Sequence, residues 1–195
     1  MTTAPAAAKA DLREAALARR RALGQADRAK FSARLAREGL RLARRTGARA
    51  VSAFHAFPDE PDTGPLLAAL AEADFVTLLP ITGTRGAPLV FRRWRPGEPT
   101  RPGRMNIPEP LEDAPARDPD LLFVPLACFD RRGHRIGFGA GYYDLTLRAL
   151  RAKGRAVAVG VGYSVAECPI LPDEPHDERL DYVLTESELI DCRDS

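Results

Sequence analysis

The chain has 195 residues, 45% hydrophobic and 29% charged, enough apolar material to close one substantial core and too much for a peptide-sized scaffold. Lys and Arg number 29 against 27 Asp and Glu, and a formal charge of +2 gives no global case for nucleic-acid binding. Three cysteines, Cys128, Cys168 and Cys192, suit no disulfide framework or zinc site, no run reaches the roughly 18 apolar residues that cross a bilayer, and no secretory pattern opens the chain; a reduced, cytoplasmic protein is expected.

The first segment, Ala8 to about Gly24, favours helix and puts Lys9 and Arg13 one turn apart, where they can point at one ligand. Asp27 is placed to cap a second helix carrying Phe31, Leu35 and Leu42 and ended by Gly47. Arginines dilute both patterns, so the pair reads as surface helices docked on something else. Ala50 to Phe54 reads as a buried strand, followed by the turn Pro58 to Pro61 and a helix around Leu66 to Ala73. Phe75 to Leu79 is a second strand, stopped by Pro80, and Pro88 to Trp94 is another apolar run. Between Pro96 and Pro119 prolines accumulate, predicting an active-site loop or connector, with disorder the competing reading for so long a segment. Leu121 to Pro125, Val157 to Val161 and Tyr182 to Leu184 are strands, with a helix over Leu145 to Ala152. The alternation predicts an α/β fold: a three-layer α/β/α sandwich around a mostly parallel or mixed sheet, forming one domain over 1–195 with a helical segment at about 8–46.

The densest chemical signal is Gly133-His134-Arg135-Ile136-Gly137-Phe138-Gly139-Ala140-Gly141-Tyr142-Tyr143-Asp144. Closely spaced glycines let backbone N–H groups converge on phosphate oxygens, and the N-terminus of a following helix favours an anion. The block lacks the Gly-Lys-Ser/Thr ending of one common nucleotide loop and the spacing of the dinucleotide fingerprint. Asp144 either caps the helix that follows or holds a divalent ion against phosphates. Asp177, in Pro175-His176-Asp177-Glu178, can join it at magnesium, or sit in a charged turn where Arg179 pairs with Asp181. Phe54, Phe57, Phe91 and Trp94 would line an aromatic pocket if their segments meet, and Glu60 and Glu109 in proline-containing loops could grip donors on a heterocycle.

Taken together, Lys9-x-x-x-Arg13, Asp59-Glu60-x-Asp62-Thr63, Pro108-Glu109-Pro110, the Gly133 to Asp144 block and His176-Asp177 resemble the 5-formyltetrahydrofolate cyclo-ligase family, also called 5,10-methenyltetrahydrofolate synthetase. The resemblance spans most of the chain, and the glycine block is its specific part. It implies ATP- and magnesium-dependent conversion of 5-formyltetrahydrofolate to 5,10-methenyltetrahydrofolate. It further implies ATP contacts from Lys9, Arg13 and the stretch Gly133, His134, Arg135, Ile136, Gly137, Phe138, Gly139, Ala140 and Gly141. Folate contacts would come from His55, Glu60, Tyr142 and the same loop from Gly137 to Gly141, magnesium ligands would be Asp144 and Asp177, and Arg135, Tyr143 and Asp144 would be catalytic. A monomer that binds neither nucleic acid nor membrane is expected. Leu145, where the family commonly has Arg, and His55, where it has an aromatic or aliphatic residue, suggest a second reading: a weakly catalytic nucleotide- or folate-binding regulatory module.

Overall fold

Strands apolar at every position need cover on both faces, and the alternation of their side chains shows how this chain supplies it. The computed structural model describes residues 5–154 and 156–193; the first four residues of the alanine-rich start lie outside them. Helices α1 (Pro5–Arg21) and α2 (Gln25–Thr46) precede β1 (Ala50–Ser52), α3 (Gly64–Glu72), β2 (Val76–Ile81) and β3 (Val90–Arg93). The short strands β4 (Thr100–Pro102) and β5 (Pro108–Pro110) lead to β6 (Leu121–Pro125), β7 (Cys128–Phe129) and β8 (Arg135–Ile136). Then come α4 (Tyr142–Lys153), β9 (Val157–Val161), β10 (Tyr182–Leu184) and β11 (Leu189–Asp191).

Seven strands form one sheet in the order β11-β10-β9-β6-β1-β2-β3. The five inner strands are parallel, and both edge strands run antiparallel to their neighbours. Val51, Leu79, Leu121, Phe123, Val159, Val161 and Leu184 face α2 and α3, while Ala50, Leu78, Leu122, Val124, Ala158 and Val183 face α4. The expected α/β/α layering is therefore present.

Several local expectations change. The second helix is a core layer and not a docked surface helix: Phe31, Leu35 and Leu42 are buried, and Gly39 lets α2 approach so closely that a Cβ there would lie 2.6 Å from Leu66 Cδ1 and 3.0 Å from Phe123 Cζ. Gly24, not Asp27, is its N-cap, which leaves Asp27 in the first turn, where a carboxylate favours the positive end of the helix. Pro80 does not stop β2, because β1 pairs only as far as Leu78 and the strand continues against β3. The proline-rich connector contains the β4–β5 hairpin, closed over Gly103 by the buried Glu109 side chain, whose Oε1 accepts from the Thr82 N–H at 2.9 Å. Glu109 thus braces the hairpin. The four aromatics do not line one pocket: Phe54 and Trp94 pack in the α2/α3 core and Phe91 in the α4 core.

Candidate active site

The site is assembled from α1, the loop after β1, the long β6–α4 connection and the β9–β10 crossover. Helix α1 packs outside the sandwich, burying Ala16 beside Cys128, Ile136, Cys168 and Leu171, with Leu12 against them. That contact lays its polar side chains along the glycine block. All three cysteines are free and buried.

Asp130, at the start of the block, is fully buried and accepts from the N–H groups of Arg132, His134 and Leu171 and from the Arg132 guanidinium, at 2.8–3.1 Å. Burial alone would raise its pKa, but these donors outweigh it and hold the carboxyl below the usual range. The turn it fixes brings Gly133 against the crossover: with φ at 85°, a Cβ at Gly133 would lie 2.5 Å from the Leu180 carbonyl oxygen. Gly133, His134 and Ile136 therefore build the base of the loop; Ile136 is buried, and the His134 carbonyl accepts from the Asp130 N–H while its own N–H donates to the Asp130 carboxylate. From Gly139 to Gly141 the loop is exposed, and Gly141 is the N-cap of α4 in the left-handed conformation.

Lys9 and Arg13 do not meet at one point. Lys9 Nζ donates to Glu174 Oε2 at 2.8 Å and to Asp177 Oδ2 at 2.6 Å, whereas Arg13 Nε donates to the Gly137 carbonyl at 2.7 Å. Burial opposes the charge on Lys9, yet the two carboxylates raise its pKa; burial likewise opposes ionisation of Asp177, and Lys9 with the Glu174 N–H lowers it. Arg135, 5% exposed, donates through Nη1 to the Glu178 carbonyl at 2.7 Å and through Nη2 to Asp144 Oδ1 at 2.8 Å. The Glu178 N–H reaches the same oxygen at 3.1 Å, so the Asp144 side chain ties α4 to the crossover and makes no capping bond at Gly141. Asp181 pairs with Arg151 at 3.0 Å, not with Arg179, which donates to the carbonyls of Arg132 and Cys192.

Among the described residues, the group that gathers three candidate metal-ligating atoms within 4.8 Å is Glu174, His176 and Asp177. Asp144 is not one of them. Glu174 carries no motif in the sequence; the signal that could have flagged it is its spacing, three residues before Asp177 across a proline.

Glu60 is buried, with Oε2 accepting from the Phe57 N–H at 2.9 Å. Burial lifts its pKa to about 7, assisted by Asp59 and opposed by the Phe57 N–H and Arg20. Tyr143 lies close enough for Glu60 to act on its phenol, which burial pushes well above the usual range. His55 sits edge-on to Trp94, ring centroids 5.5 Å apart, and burial lowers its pKa. Tyr142 joins the loop to the β2–β3 connection, its hydroxyl donating to the Gly83 carbonyl at 3.3 Å and accepting from Arg104 at 3.2 Å. Phe138 is 47% exposed, packing against Phe57 at 6.4 Å and over the Arg20 guanidinium at 5.7 Å. Arg20, flanked by Arg19 and Arg21 and carrying no motif, is buried in the site at 4% exposure.

The 5-formyltetrahydrofolate cyclo-ligase family model matches residues 5–186. The chain belongs to that family. The 5-formyltetrahydrofolate cyclo-ligase of Mycolicibacterium smegmatis is 33% identical over 186 residues, covering 91% of this chain and 93% of that protein. The Escherichia coli K12 protein of the same name is 33% identical over 147 residues, or 73% of this chain and 80% of its own length. The NMR structure of Aquifex aeolicus 5,10-methenyltetrahydrofolate synthetase superimposes with a TM-score of 0.79 at 27% identity, over 96% of this chain and 94% of that one. A Mycoplasma pneumoniae 5,10-methenyltetrahydrofolate synthetase shares the fold at a TM-score of 0.71 and 18% identity. The stretch matched by the family model, 5–186, holds every segment of the site and every strand of the main sheet except β11.

Proposed function

We propose that the chain catalyses ATP-dependent conversion of 5-formyltetrahydrofolate to 5,10-methenyltetrahydrofolate, releasing ADP and phosphate. Besides family membership, one observation carries this reading: Arg13 from α1 reaches the glycine loop at the N-terminus of α4, while two further cations, Lys9 and Arg135, are held by the carboxylates Asp177 and Asp144. That is an arrangement for triphosphate with a hard cation.

An N-formyl group is a poor electrophile because the nitrogen lone pair is delocalised into its carbonyl. Transfer of a phosphoryl group to the formyl oxygen turns that oxygen into a leaving group, and the neighbouring folate nitrogen then closes the ring as phosphate departs. The protein's part is alignment and charge stabilisation. Arg13 and the loop amides from Gly139 to Gly141 orient the phosphates, and Arg135 and Lys9 balance their charge. Glu60, Tyr143 and Phe138 border the folate. Glu174 and Asp177, the carboxylates of the gathered group, offer hard oxygen donors that suit magnesium, which would neutralise phosphate charge when bound; Asp144, held by Arg135, lies outside that group and would join it only once Arg135 lets go. Asp177 and Asp144 now hold protein cations, so loading the site exchanges partners: Lys9 and Arg135 turn from carboxylate to phosphate. Purified protein given ATP, magnesium and 5-formyltetrahydrofolate is expected to develop the near-ultraviolet absorbance of the methenyl product only when all three are present. Ligand binding without that absorbance would overturn the reading.

A further inference from the structure

Two buried polar atoms beside the glycine loop complement each other and do not meet. The Arg20 guanidinium binds Asp59 Oδ2 through Nε at 3.1 Å and Nη2 at 2.9 Å, while Nη1 has no hydrogen-bond partner. Glu60 gives Oε2 to the Phe57 N–H, while Oε1 has none. Nη1 and Oε1 stand 3.9 Å apart, beyond hydrogen-bond reach, on side chains only 4% and 3% exposed. A buried polar atom without a partner is costly, and Asp59 and Phe57 hold each side chain back from closing the gap. A ligand with an acceptor beside a donor on one edge would satisfy both atoms. The setting suits a flat ring: Phe138 lies over the guanidinium and against Phe57, and Tyr143 faces Glu60 from α4.

We propose that Arg20 is a specificity-determining residue for the folate ring, its Nη1 donating to the ring carbonyl while Glu60 Oε1 accepts from the adjacent ring N–H. The inference rests on the activity proposed above. The pteridine ring of 5-formyltetrahydrofolate carries a cyclic amide with that acceptor-beside-donor edge. Adenine offers a similar edge, but Lys9, Arg13 and Arg135 give the nucleotide its own anchors, and Glu60 lies on the folate side of the reading. Replacing the ring carbonyl by an amine sets a donor against the Arg20 donor, so the site rejects the exchange.

The test compares 5-formyltetrahydrofolate with its 4-amino-4-deoxy analogue as a competitor, in the wild type, Arg20→Met and Arg20→Lys, with KM for ATP measured in parallel. Lysine keeps a cation for Asp59 but lacks the fork that reaches the ring as well, which protects the test if methionine impairs folding. Wild type is expected to prefer the carbonyl compound, and both variants to lose about tenfold of that preference, the size of one charge-assisted hydrogen bond, with KM for ATP unchanged. An unchanged preference in folded variants overturns the role of Arg20, as does a rise in KM for ATP with the preference intact, which would assign the pair to adenine. Absence of turnover in the wild type overturns the activity itself and is read separately.

Discussion

Glu60 ties the site to the stability of the protein through one proton. Its pKa is about 7 in the fold against an ordinary 4.5, so between those values the native state binds a proton that the unfolded chain has released. Stability attributable to this group is therefore full below pH 4.5 and declines as pH rises toward 7, by about 3 kcal/mol in all. Glu60→Gln should flatten that slope in urea unfolding measured across the interval; an identical pH dependence in the variant would show that burial does not perturb this carboxyl. Arg20 shows how such a residue hides. It follows Arg19 and precedes Arg21, and nothing in the run distinguishes the three. The clue was helical spacing: Leu12, Ala16 and Arg20 fall four apart, on the face that the structure buries.

Among the elements, α1 does most to prepare the chemistry, and it does so by occupying carboxylates with its own lysine. Lys9 is paired with Asp177 and Glu174. On the proposed reading, metal would compete with Lys9 for these carboxylates and nucleotide phosphate would compete with them for Lys9, so each ligand would remove the other's obstacle, which is positive coupling. A titration with Mn2+ alone should show Lys9→Met binding metal roughly tenfold more tightly than wild type, about 1.4 kcal/mol, while nucleotide binding weakens. Equal metal affinity in the two proteins would mean that Lys9 does not guard the carboxylates. This interplay was not legible in the sequence. Spacing put Lys9 and Arg13 on one helix face, but their partners lie more than a hundred residues away and include the unremarkable Glu174. The β4–β5 hairpin escaped notice for a related reason: its prolines read as strand breakers, and the buried Glu109 that secures it reads as a loop charge.

At the scale of the molecule, hydrophobic alternation was the most legible feature, since runs such as Leu121 to Pro125 demand cover on both faces and thereby predict three layers. What alternation left open was how close the layers come. Gly39 settles that for α2, which rests on Leu66 and Phe123 with no room for a side chain. Gly39→Val should lower the urea midpoint with an unchanged slope, at a cost of about 2 kcal/mol from overpacking; a neutral effect would mean the layer can move away freely. The α1 anchor has a further consequence, for the order of synthesis. Lys9 meets Asp177 across 168 positions of chain, and Arg13 meets Gly137 across 124. During translation the helix emerges first and waits for nearly every later element, and the carboxylate that receives Lys9 arrives just ahead of β10 and β11. A chain abandoned before that point lacks two strands of the sheet and the carboxylate that anchors Lys9 together, so a prematurely terminated product loses the docking of α1 as well as the fold.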